Sequence, residues 1–135
     1  MEKYKFRAVD KHLYVNFLRR SEECLKSAKR ALENNEIMSA PISAVHCCIS
    51  ALDALCVNHM RKRHPGYNHE DGVRFIYGIN TVKKDELELI GSRAMKVIRL
   101  KNMAEYEERI MKPKEAEKMI KDSECVLEMV KKCTG

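Results

Sequence analysis

The chain has 135 residues, 26 of them basic and 20 acidic, for a formal charge of +6 and a pI near 9.0. Hydrophobic residues make up 44% and charged residues 34%, with 8 Met, no Trp, 3 Pro and 5 Gly, which suits amphipathic helices far better than strands and turns. The length predicts one domain, residues 1–135, with a single core burying roughly two thirds of the unfolded surface.

No apolar run approaches the length of a bilayer span, and Met1 to Asp10 is charged throughout where a secretory leader would be apolar. The reading is a soluble, cytoplasmic chain without membrane contact. Its positive charge favours polyanions, but basic residues occur in every segment. The dense runs are Arg61, Lys62 and Arg63, and Lys131 and Lys132. A solvated surface with cations at helix C-termini accounts for such runs equally well.

The first predicted helix runs from Asp10 to about Glu33, with Asp10 as its cap and Leu13, Phe17, Leu18, Cys24, Leu25, Ala28 and Leu32 recurring at three- and four-residue steps. Asn34 and Asn35, which accept turn conformations, end it. The second starts near Ser39, an N-cap candidate with Pro41 behind it, and runs to about Arg63. Ile42, Val45, Ile49, Leu52, Leu55, Cys56 and Met60 form a broad apolar face, and most other positions are small. A thin helix of this kind belongs at the centre of a bundle. His46 and Asp53, seven residues apart, share nearly one face of it. They read either as part of a site, Asp53 then pairing with a cation across from it, or as a hydrogen-bonded histidine and a semi-exposed carboxylate at a dimer surface.

Pro65, Gly66, Asn68 and Gly72 make the segment His64 to Gly72 the one real interruption, followed by a short helix or turn through Val73, Phe75, Ile76 and Tyr77 and stopped by Gly78. The next helix starts between Val82 and Asp85 and turns Leu87, Ile90, Ala94, Val97 and Ile98 to the core. Gly91 there suggests a close crossing with a neighbouring helix. Charged residues follow Tyr106, and Pro113 opens a last helix ending at Cys133, with Ala116, Met119, Ile120, Ser123, Val126, Leu127 and Val130 at core spacing. No strand pattern is visible. The fold class predicted is all-α, an up-and-down bundle of four long helices plus a short helix after the His64–Gly72 loop.

The stretch that carries chemistry runs from Arg93 to Tyr106. On a helix, Arg99, Asn102, Met103 and Tyr106 fall within about 100° of one another, so a cation, an amide and a phenol share one stripe. Arg99 and Lys101 suit phosphate, and Asn102 adds a directional amide. The six cysteines include no Cys-x-x-Cys pair, and most sit at apolar-periodic positions as buried free thiols do. His59, His64 and His69 are five apart, a poor spacing for one helix face, and neither a metal nor a cofactor is expected.

Arg99, four residues, Ala104, one residue and Tyr106 resemble the motif of the HEPN superfamily of helical bundles, an arginine, four to six residues, a histidine and often a tyrosine two further on. His69 before Val73 and Phe75 resembles a histidine and small helix in the same relative place in many of these proteins. The resemblance implies RNA cleavage without metal in catalytic members, the arginine holding phosphate and the histidine assisting attack by the 2′-hydroxyl, usually at a dimer interface. It also implies, for small stand-alone prokaryotic members, a minimal nucleotidyltransferase partner in a toxin–antitoxin pair, with the tyrosine as a modification target. Here Ala104 occupies the histidine position and exchanges no proton, while Tyr106, with a reference pKa of about 10, is a poor base.

The first expectation is therefore a homodimeric domain that lacks the full ribonuclease motif and binds a nucleotide, RNA or a nucleotidyltransferase through Arg99, Lys101, Asn102 and Tyr106, with His46 and Asp53 opposite. The second is a metal-independent endoribonuclease in which His46, His64 or His69 supplies the base from within about 6 Å of the Arg99 guanidinium. The third is a structural module whose polar stripe only specifies homodimerisation or another protein contact.

Overall fold

The computed structural model describes residues 5–66 and 68–135 and is mostly helical. The first four residues of the charged N-terminal stretch lie outside the described residues. In chain order the elements are β1 (Arg7–Ala8), α1 (Tyr14–Glu33), α2 (Ser39–Met60), β2 (Lys62–Arg63), α3 (His69–Phe75), α4 (Lys84–Tyr106) and α5 (Pro113–Cys133), with 3-10 turns at Lys11–Leu13 and Ile76–Gly78.

The tight turn after Asp10 delays α1 to Tyr14, and Asp10 caps nothing with its side chain; its carbonyl accepts the Leu13 N–H at 3.0 Å. Asn35, at φ 60°, turns the chain out of α1 in the left-handed region that asparagine tolerates. Ser39 is likewise no cap: it is the first helical residue of α2, preceded by Met38, with Pro41 buried in the first turn.

The small residues of α2 place it in the middle. Ala40, Ala44, Cys47, Cys48, Ala51 and Ala54 have no solvent exposure, and α1, α3, α4 and α5 all pack on this helix. Ile42, expected in the core, is 51% exposed because its turn lies at the open N-terminal end of α2. The expectation that no segment matches a bilayer span also fails: α2 has 22 residues and a window of mean hydropathy 1.7. Its neighbours bury 78% of that window, so the apolar surface is spent inside the protein. All six cysteines are free, and Cys47, Cys48 and Cys56 are buried. Burial pushes the Cys47 thiol up to about 11 and raises Cys48 and Cys56 as well, so all three stay protonated at neutral pH.

Two serines fasten the outer helices to α2. Ser21 of α1 donates to the Cys47 carbonyl at 2.7 Å, and Ser123 of α5 donates to the Ala44 carbonyl at 2.9 Å. At the other end His59 Nε2 donates to the Cys133 carbonyl at 2.6 Å, since a carbonyl only accepts, and Nδ1 accepts from the Thr81 hydroxyl at 2.7 Å.

The helix expected to reach Arg63 stops at Met60, because Arg61 adopts the left-handed conformation, φ 58°. That reversal sends Lys62–Arg63 antiparallel along Arg7–Ala8, with Arg7 opposite Arg63 and Ala8 opposite Lys62, a strand pair the sequence pattern did not show. A ladder of two residues is too short for alternation to be read. Asn68 caps α3 by accepting the Asp71 N–H at 3.1 Å. The crossing expected at Gly91 is a side chain instead of a helix: the Tyr77 ring lies where a Cβ on Gly91 would stand. Glu115 opens α5 by accepting the Lys112 N–H at 2.9 Å and gripping Arg109 with both carboxylate oxygens, at 2.7 and 2.8 Å. These bonds hold its carboxyl down at about 2.

Candidate functional site

The C-terminal third of α4 exposes its polar stripe and buries what lies behind it. Ile90, Ala94, Val97 and Ile98 pack inward, so Arg99, Asn102, Met103 and Tyr106 point outward, Tyr106 at 89% exposure. Ala104 lies about 140° around the helix from Arg99. It is 5% exposed and lines a shallow groove of about 150 Å³ with Met38, Pro41, Ile42, Ile110 and Met111. The position where the resembling motif has histidine is therefore a packing position in this chain, turned away from the arginine.

The partner of Arg99 comes from α3. Glu70 Oε1 lies 3.5 Å from Arg99 Nε and also 3.5 Å from Arg74, so one carboxylate lies between two guanidinium groups. Both arginine side chains are largely exposed, and such pairs are worth about 1 kcal/mol or less, which makes the contact easily exchanged. Lys101 points to the other side of α4, where it pairs with Glu105 at 2.7 Å and faces His69.

His69 begins α3 and gathers the remaining groups. Its pKa is lowered by partial burial first, then by Lys101 and the neighbouring histidines His46 and His64, with Glu105 opposing. It is therefore a neutral imidazole at pH 7. Among the described residues neither of its ring nitrogens has a hydrogen-bond partner. His64 is engaged: its Nδ1 accepts the Gly66 N–H at 3.0 Å and its ring meets Phe75 edge-on at 5.8 Å.

Asp53 does not pair with the Arg99 stripe. It meets Arg63 of β2 at 3.6 Å, inside a narrow cleft with about 40 Å³ of free space that Ile49, Leu52, His64, Asn68 and His69 also line. Burial pushes its carboxyl up to about 7, against the pull of Arg63 and Arg20. The structure thus brings Arg99, Lys101 and His46 to the His69 turn, sets Asp53 in the cleft beneath that turn, and leaves Asn102 and Tyr106 facing solvent. Glu70 was missed because a carboxylate one residue after a histidine in a loop carries no periodic signal. Only the fold shows that it reaches Arg99. Among the described residues no group of three or more His, Cys, Asp or Glu side chains is placed to hold a metal ion.

The arrangement offers one loosely held guanidinium against α3, and a neutral imidazole at the start of α3 with the Glu105-paired Lys101 ammonium near it. Such a set carries the cationic donors that suit a phosphate and an imidazole of the kind that transfers protons near neutral pH. No curated protein and no solved structure gives a significant match to the chain. Residues 14–133, from the start of α1 to the end of α5, match the family model described as HEPN domain, and the chain belongs to that family.

Proposed function

We propose that this HEPN domain binds RNA or a nucleotide through Arg99 and Lys101 as a homodimer, without the motif histidine of ribonuclease members. The observation that carries the reading is the Glu70–Arg99 contact at 3.5 Å: a carboxylate occupies, at the edge of contact distance, the place a phosphate oxygen would take. Glu70→Gln should then strengthen binding of a short single-stranded RNA severalfold, and Arg99→Ala should weaken it tenfold or more. Unchanged affinity in both variants would remove the site.

The same reading treats residues 1–135 as one domain with four long helices running up and down. In its support, α1 and α2 pack closely across a short connection, as do α4 and α5. It extends to a cytoplasmic toxin–antitoxin pair with a minimal nucleotidyltransferase, for which the exposed Tyr106 phenol is a suitable modification target. A mass increment on Tyr106 after co-expression with such a partner, absent from Tyr106→Phe, is the result to look for.

A metal-independent ribonuclease is favoured by one observation, the His69 imidazole near Lys101, its pKa lowered and its ring without a hydrogen-bond partner among the described residues. Cleavage of mixed single-stranded RNA in EDTA that disappears with His69→Asn and with Arg99→Ala would select it. No cleavage above the variants would leave binding alone.

A further inference from the structure

The antiparallel pairing of β1 with β2 brings together cations far apart in the sequence. Arg7 stands directly opposite Arg63, a like-charge pair that disfavours the ribbon on its own account, in a two-stranded ladder that is already of marginal length. Arg61, immediately before β2, is exposed and held at φ 58°, where glycine would relieve the strain and asparagine would tolerate it. Arg63 and Arg20 both lie over the ring of Phe17, at 5.5 and 5.1 Å, and Lys62 lies 4.6 Å from the centroid of the 43% exposed Phe6 ring. Among the described residues, Asp53 on Arg63 is the one carboxylate in a salt bridge with any of these cations. β1 precedes the segment matched by the family model, which begins at residue 14.

We infer that the β1–β2 ribbon is a second binding surface, a platform for single-stranded nucleic acid, with Arg61 and Lys62 on phosphates and Phe6, which shares the Lys62 face of the ladder, against a base. Two features select this ligand. Several cations on one short ribbon without a salt bridge among the described residues match a chain of phosphates at close spacing. An exposed ring flanked by an ammonium offers a face for stacking, which bases have and bare polyanions lack. The surface stands independently of the Arg99 site, whose failure would leave it intact.

The test is fluorescence anisotropy with a labelled single-stranded RNA of about 12 nucleotides across a salt series, a length of the order one such surface covers. Wild-type protein is compared with Arg61→Asn/Lys62→Ala, Phe6→Ala and Arg99→Ala, all checked for unchanged helicity and melting. The double variant should lose about tenfold or more at low salt and flatten the slope of log affinity against log salt by about 1.4, two phosphate contacts at about 0.7 each. Phe6→Ala should lose roughly tenfold on RNA and little on inorganic polyphosphate. Lys62→Arg should retain binding. Loss in the double variant with Arg99→Ala unaffected supports the ribbon and removes the Arg99 reading. Loss in Arg99→Ala with the double variant unaffected does the reverse. Wild-type protein that binds phosphatidylserine vesicles and not RNA, or neither, overturns the ribbon proposal.

Discussion

At the scale of single residues, two positions decide how this site differs from a ribonuclease motif. Ala104 looks, in the sequence, like a histidine lost from an otherwise matching pattern, and the natural repair is Ala104→His. The structure argues against that repair, because position 104 is 5% exposed and faces the Met38–Met111 groove instead of the Arg99 stripe. Forcing an imidazole there should cost about 1–3 kcal/mol of stability by overpacking and yield no RNA cleavage, both measurable on one preparation by denaturant unfolding and an EDTA assay. Asp53 is the second. Its pKa of about 7 lies above the ordinary value of 3.8, so the folded state holds a proton that the unfolded chain releases. Stability from this residue is therefore present at acid pH and lost as pH rises from about 4 to 7. Asp53→Asn should melt higher than wild type at pH 8 and show little difference at pH 4, the sign of the gap at pH 8 being the check.

At the scale of elements, legibility followed the length of the pattern. α5 was readable to the residue, Pro113 to Cys133, because Pro113 marks the start and the core-spaced residues recur through about four turns. The core side of α4 was readable for the same reason. Where a boundary depends on one backbone angle, as at Arg61, periodicity carries no information, and the ribbon that follows from it was hidden. Of the α4 stripe, the outward placement of Arg99, Asn102, Met103 and Tyr106 was legible, since helical spacing fixes which residues share a face. The Asp53–Arg63 pairing was not, because it depends on how a loop folds back. Gly91 belongs here too. Its absent side chain makes room for Tyr77. Gly91→Ala should destabilise the protein by displacing that ring, whereas in a Tyr77→Ala background the same change should stabilise it by about 1 kcal/mol through helix propensity. A double-mutant cycle from urea melts reads the change of sign.

At the scale of the whole molecule, large apolar side chains gather at one end. Met38, Ile42 and Ile110 are 69%, 51% and 67% exposed along the groove that Ala104 closes, and Met103 stands at 47% on the same helix. A second copy of the chain is the proposed cover; if so, Ile42→Asp combined with Ile110→Asp should give a monomer by light scattering where the wild type gives a dimer, without lowering the melting temperature. The opposite demand, rigidity, is met in the interior. Ser21 and Ser123 bond to the carbonyls of Cys47 and Ala44, within one turn of each other on α2. α1 and α5 are thereby indexed to the same notch of the central helix. To slide, either must give up its bond before the next equivalent carbonyl arrives, about 5.4 Å along the axis. The bundle therefore works like a keyed shaft. α1 and α5 resist sliding along α2, each held by its own hydroxyl–carbonyl bond.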